Sequence, residues 1–469
     1  LPMFEDDNHD AFEDKELRID LDRFEKHLQG EPIGFLDSDR WEAMIDHFLI
    51  SGHYQKALKC VEEALSQFSY NTTLRLRKAQ ASSAIGKLKE AIVILNDLER
   101  EGIANMETLL TKASVFSQLK DSKNAIRYFK EALAAASPED RDEIYLDLAM
   151  EYQNAGKMQR AINVLREAIK MNPSNEGAIY ELAFCYDQSG DFQKSIKCYS
   201  DFIDDNPYSF TAWYNLGNAY AKNEDLEKAA WAYDYCILIN DGFGPVYFNL
   251  AHTNLTLEKY TAAIRNFEKC MELDGDDPLA LSYIGECYEQ LGDLKKAKEF
   301  YQKSLELAPM LPDAWLGLGI VEDLEGRTRE GIVLIEKAAE LDPENASIYH
   351  VLAGAYEKLE DHENALENYR LALDLDPADD DCLINYTELL AQESMQTALD
   401  FLEDFEEDNT NRMLGILKVS VLWKLGRKEE SILRYKKCLL EDRDTAILIF
   451  DLDPTLKNVQ EFLILGDQQ

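Results

Sequence analysis

Apolar side chains recur along this chain three or four positions apart, and the segments that carry them recur every 34 residues. Small residues set the rhythm: Ala57, Ala91 and Ala125 are followed by Ala161, Ser195, Ala229, Ala263, Ala297, Gly331 and Ala365, with one step of 36 after Ala125. Twelve positions upstream runs a second series, Ala79, Ala113, Ala149, Ala183, Gly217, Ala251, Gly285, Gly319 and Ala353. Large residues stand about one helical turn from these. Tyr152, Tyr186, Tyr220, Tyr288 and Tyr356 accompany the second series, and Tyr199, Tyr233, Phe267, Tyr301 and Tyr369 the first. Such spacing puts small and large side chains on one helical face, whereas a strand would alternate. Each unit is therefore predicted to be two helices that approach closely where the small residues meet. "SGDF", "NEDL", "LGDL" and "LEGR" separate the paired helices, and Pro173, Pro207, Pro309, Pro343 and Pro377 end the second helix of five units.

A helix-turn-helix unit of this length and pattern resembles the tetratricopeptide repeat. The resemblance implies an all-α fold, a right-handed superhelical α-solenoid of about twelve tandem repeats with helical end caps. The array is expected over residues 38–445, with a degenerate copy at 379–411 where the register shortens by one around Ser394. Residues 1–37 read as an acidic segment whose Phe12, Leu17, Leu21, Phe24 and Leu28 mark a capping helix. A second capping helix is expected within 446–469, from Pro454 to Leu463. Terminal units of a stacked array need such caps, because each unit buries its apolar face only against its neighbours.

In that family the first helix of each repeat lines a concave groove. The repeat step aligns Tyr180, Tyr214, Phe248 and Ser282 at one groove position, then Glu181, Asn215, Asn249 and Tyr283, and one turn further Phe184, Asn218, His252 and Glu286. The implied peptide-binding residues are Tyr180, Phe184, Tyr214, Asn215, Asn218, Phe248, Asn249, His252 and Tyr283. An asparagine amide both donates and accepts, so a row of them can hold the backbone of an extended peptide whatever its side chains. Asn215 and Asn218 also belong to "WYNLGNAY", which is close to an idealised repeat, so both could serve the fold alone. Family members that grip a terminal carboxylate use groove cations. Tyr180, Tyr214, Phe248 and Leu316 stand here instead, which argues against an acidic tail as ligand.

Charge narrows the partners further. With 90 acidic against 49 basic residues the net charge is −41, which repels phosphate backbones and anionic lipid and attracts basic proteins. A hydrophobic or basic protein or peptide is the expected partner, with no nucleic acid and no membrane insertion. No apolar run is long enough to span a bilayer, and the acidic opening lacks the basic-then-apolar order of a secretion leader. Eight cysteines show no CxxC pair and no metal-like cluster with histidine. Five of them, Cys185, Cys236, Cys270, Cys287 and Cys438, share repeat positions with alanines, as small core residues would. A reduced, cytoplasmic setting is expected.

Catalytic signatures are missing from the pattern: there is no GxxxxGK[ST] loop and no HExxH. Gly317 and Gly319 fall on a repeat helix and read as packing, and "DGDDP" from Asp274 lacks the remainder of a calcium loop and reads as a helix end. No catalytic residue, cofactor or metal is expected. The function read from the sequence is a non-enzymatic interaction scaffold that binds an extended peptide in its groove. The alternative is a substrate-recruiting arm of a separate transferase or protease assembly. The sequence leaves the oligomeric state open.

Overall fold

In the computed structural model, which describes residues 6–467, every regular element is helical. After an opening helix, Asp6–Leu28, twelve pairs run from Ser38–Ile50 with Tyr54–Gln67 to Met413–Lys424 with Lys428–Glu441. Short helices Arg443–Ile447 and Ile449–Leu452, a 3-10 turn Pro454–Asn458 and the helix Gln460–Asp467 follow.

The helix ends have local causes. Second helices stop at Met171, Asp205, Leu307, Leu341 and Leu375, two residues before each of the five prolines, as expected where proline constrains the residue before it and cannot donate. First helices begin at a side chain that the repeat supplies in one place. Asp37, Asn71, Asn105, Asn175, Ser209, Asp277, Asn345 and Asp379 each accept a backbone N–H of the first turn. Phe243 and Leu311 occupy that place without capping, and there Pro245 and Pro312 enter the first turn and remove an N–H that would lack a partner.

By its contacts the chain divides into two compact units, residues 1–224 and 225–469. In the first, neighbouring first helices touch each other, as Ser38–Ile50 touches Thr72–Ala84 and Arg141–Asn154 touches Glu176–Gln188, while second helices pack chiefly against first helices. The second unit is built likewise, with Gly244–Thr256, Pro278–Gln290, Pro312–Leu324 and Ala346–Lys358 side by side. Each unit thus has an inner row of first helices and an outer row of second helices.

Small residues make this spacing possible. Every alanine of the two series, from Ala57 to Ala365, is fully buried. At Gly319 a Cβ would lie 2.6 Å from the Ile335 side chain and 2.9 Å from the Gly331 carbonyl oxygen. At Gly317 and Gly285 it would meet the Tyr301 ring at 2.2 and 2.8 Å. Gly317 and Gly319 are therefore packing residues.

At the start, Phe24 is fully buried, with its ring centroid 6.2 Å from that of Trp41 and 5.8 Å from that of Phe48. Asp20, 2% exposed, receives both Arg40 Nε at 2.7 Å and Arg40 Nη2 at 2.5 Å. Leu28, expected in the apolar stripe, is 38% exposed. That ion pair completes the packed face of the opening helix, and Phe12 lies outside the residues whose side chains are described. Near the other end Phe462 packs on Trp423 and Tyr435, with centroids 5.3 and 5.0 Å apart. In the degenerate copy, Ser394 alone joins Asp380–Glu393 to Met395–Asp408, and Leu399, Phe401, Leu402 and Phe405 are all buried.

Candidate binding face of the first helices

The nine candidate residues fall in both units, five in the first and four in the second. In the first unit Tyr180 and Phe184 sit on Glu176–Gln188, and Tyr214, Asn215 and Asn218 on Phe210–Lys222. The Tyr180 hydroxyl meets Thr211 Oγ1 at 2.6 Å, Ser209 Oγ at 3.4 Å and the Glu176 carboxylate. Its ring leans on Tyr199 and Phe202, and burial with the Glu176 bond pushes its pKa up to about 12. Tyr180 is thus committed to its own helix junction. Phe184 is 46% exposed, and Met150 on the neighbouring first helix is 50% exposed. Tyr214, Asn215 and Asn218 are half-buried. Nearer the start, Arg77 bridges Asp46 at 2.5 Å and Glu107, while Gln80 reaches Thr111 at 3.3 Å. That part of the inner row is internally paired.

In the second unit Phe248, Asn249 and His252 lie on Gly244–Thr256 and Tyr283 on Pro278–Gln290. Tyr283 gathers them: its ring stacks on Phe267 at 5.5 Å and meets the edges of Phe248 at 6.2 Å and His252 at 5.3 Å. His252 is exposed, and Phe248, Asn249 and Tyr283 are half-buried. Beside them opens a cleft of about 370 Å³ lined by Phe248, Asn249, Cys270, Asp274 and Asp277 among others. Within "DGDDP" the Asp277 carboxylate serves a helix end, as the sequence implies. Asp277 caps the next helix through the N–H groups of Leu279 and Ala280, and the Asp274 carboxylate stands over Gly244, where a Cβ would be 1.9 Å away.

Two half-buried carboxylates continue this face. Burial raises the Glu286 pKa, with the Asp313 charge adding to the rise. Burial and the Glu286 charge lift Glu289 to about 7, against a hydrogen bond from Tyr301 at 3.0 Å that pulls it down. Among the described residues, carboxylates and a tyrosine are the groups that act on this pair, with no cation among them.

All eight cysteines are unpaired thiols, and all but Cys198 are buried. Burial pushes Cys236 up to about 11 and Cys287 up to about 12, which keeps them protonated and unreactive. Spacing in the sequence shows no metal-like cluster with histidine, but the fold brings one set of possible ligands together. His350, Asp379 and Cys382, from different helices or their caps, bring their ligand atoms within 4.8 Å of one another. Residues 29 and 32 positions apart give no local spacing signal.

Four family profiles, all described as Tetratricopeptide repeat, match residues 107–138 and 346–379, 152–202, 182–245 and 244–310. The chain is a tetratricopeptide repeat protein. Over 133 residues this repeat protein is 29% identical to Protein CTR9 homolog of Arabidopsis thaliana, covering 27% of this chain and 12% of that one. Over 118 residues it is 25% identical to Anaphase-promoting complex subunit 3 of Schizosaccharomyces pombe, covering 25% and 18%. The match thus spans less than a fifth of either relative. The solved APC/C hetero-tetramer Cut9-Hcn1 aligns over 88% of this chain and 95% of that chain, at 16% identity and a TM-score of 0.43. Among the described residues no helix is long and apolar enough to cross a membrane.

Proposed function

We propose that this tetratricopeptide repeat protein is a non-catalytic interaction module whose inner row of first helices receives an extended segment of a partner protein. The segment is basic, with apolar residues between its charges. The observation that carries this reading is the face of the second unit, where Glu286, one turn from Tyr283 on the same helix, and Glu289 stand half-buried with no cation among the described groups that act on them, and where the Tyr283 ring meets those of Phe248 and His252. Burying a carboxylate without an opposite charge is unfavourable, and a lysine or arginine from a ligand would supply that charge while its stem lies on the rings. The proposal assigns the peptide backbone to Asn249, which is half-buried and lines the cleft beside Phe248. In the first unit Phe184 and Met150 offer exposed apolar surface for the same kind of ligand.

The similarity to a protein named as a subunit of the anaphase-promoting complex supports a role in assembly. The charge of −41 favours encounter with basic partners and opposes binding to nucleic acid.

A panel of labelled extended peptides tests the proposal on the full chain. Peptides alternating lysine or arginine with leucine are expected to raise fluorescence anisotropy with saturation. Versions with glutamate in place of the cations should not. Equal binding of both kinds would contradict a basic ligand.

A further inference from the structure

One junction recurs where a first helix meets the start of the next first helix. A side chain in the middle of the earlier helix reaches the capping region of the later one, as Tyr180 reaches Ser209 and Thr211. His350 occupies this place on Ala346–Lys358, and its Nδ1 lies 3.0 Å from Oδ2 of Asp379, the residue that caps Asp380–Glu393. Cys382 stands in the first turn of that helix, and its N–H is donated to Asp379 Oδ1 at 2.9 Å. Imidazole nitrogen, carboxylate oxygen and thiol sulfur all lie within 4.8 Å of one another. Asn385, one turn on, places its Nδ2 3.1 Å from His350 Nε2.

The repeat supplies its own controls. At equivalent junctions the three positions hold Leu146, Asn175 and Ala178, or Phe248, Asp277 and Ala280, or Leu316, Asn345 and Ile348. These junctions form without a histidine, an aspartate and a cysteine together, so the fold does not require the combination found at His350.

We propose that His350, Asp379 and Cys382 bind a divalent transition ion of the zinc class, with a fourth coordination position left to water or another ligand. A nitrogen, an oxygen and a sulfur suit a borderline ion and not the hard calcium or magnesium ions, which take oxygen alone. Ligands about 2.0–2.3 Å from zinc in a tetrahedron stand about 3.3–3.7 Å apart. The histidine and aspartate atoms are already inside that separation, and the sulfur has to close by about 1 Å at most. His350 and Asp379 are partly exposed, which gives the ion a way in.

The protons balance simply. The Asn385 amide donates to Nε2, so the Nδ1–H is donated to Asp379. The ion takes the lone pair at Nδ1 as the ring proton moves to Nε2, and the Asn385 amide turns so that its oxygen accepts that proton. Cys382 releases its proton to solvent. A dication held by one carboxylate, one thiolate and one neutral imidazole carries no net charge, and Asn385 holds the ring in place as outer partners of metal-bound histidines do. This site does not depend on peptide binding elsewhere in the chain.

The test is to titrate the metal-free full chain with Co2+ and then with Zn2+, following absorption. One equivalent of cobalt with a thiolate-to-cobalt band, bleached by zinc, is the expected result. The variants are Cys382→Ala, Asp379→Asn and His350→Phe, each introducing a residue that an equivalent junction carries, with helicity checked by circular dichroism. Each should weaken binding at least tenfold, and Cys382→Ala should abolish the band. Cobalt uptake without a thiolate band, uptake unchanged in all three variants, or no uptake would overturn the proposal.

Discussion

Tyr301 donates its hydroxyl to the Glu289 carboxylate at 3.0 Å, from a slot formed against Gly285 and Gly317. The ring reaches the inner row only because two adjacent first helices lack a side chain there. That places a hydrogen-bonded carboxylate, lifted to about 7, beside Glu286. Glu289 therefore holds its proton in the folded chain over a range where the unfolded chain has lost it. The folded state binds more protons between about pH 4.5 and 7, so stability contributed by Glu289 is present below the unfolded pKa and falls as pH rises through this window. The loss is at most about 3.4 kcal/mol. Hydrogen exchange of Pro278–Gln290 and Leu294–Leu307 should quicken from pH 5 to 7.5, beyond the intrinsic rate change, and Glu289→Gln should flatten the trend.

The glycines divide by what surrounds them. Gly317→Ala puts a Cβ 2.2 Å from the Tyr301 ring, so it should destabilise the second unit by about 3 kcal/mol, as overpacking does. At Gly354 the nearest atom to a Cβ is the Tyr369 hydroxyl at 3.9 Å. Gly354→Ala should therefore stabilise its helix by about 0.5–1 kcal/mol. Urea unfolding of the two variants should move in opposite directions.

The opening helix is tied down by Asp20 and Arg40. Arg40→Met leaves a carboxylate that is 2% exposed without its bidentate partner. A cost of about 2 kcal/mol is expected, below the full value for a buried pair because Arg40 is itself 36% exposed. Exchange protection of Asp6–Leu28 should fall, while that of the second unit should stay as it is.

Glu360 takes a left-handed backbone, with φ of +58, at a turn where most pairs use glycine and Lys120, Glu224 and Glu258 do as Glu360 does. Glu360→Gly removes the crowding around Cβ but loosens the unfolded chain. A net gain of about 0.5 kcal/mol is expected in the unfolding midpoint.

Much of the fold was legible because one pattern repeats. The small residues at Ala57 or Ala251 fix where helices touch, and the prolines fix where second helices stop. The caps at Asn71, Asn105 and Asn345 lie in the same register and offer a further sequence signal for helix starts. The Asp20 and Arg40 pair was not legible, because a buried aspartate in an acidic segment looks like any solvated charge until a partner twenty residues away meets it. Tyr180 shows the limit for the candidate face: repeat alignment gives its position but not the hydrogen bonds that occupy its hydroxyl. Glu286 aligned with His252 and Asn218, yet burial and the Asp313 charge decide its character, and both come from neighbours a sequence does not pair. His350 carries no local signal because its partners Asp379 and Cys382 belong to the next helix pair.

The most direct measurement of the central claim is the affinity of one lysine- and leucine-rich extended peptide for the full chain and for Glu286→Gln/Glu289→Gln, at fixed salt and pH 7.5. The proposed function predicts at least a tenfold loss in the variant, about 1.4 kcal/mol, with helicity unchanged. Equal affinity for both proteins would contradict it, leaving any binding to the general attraction of a chain with 90 acidic against 49 basic residues.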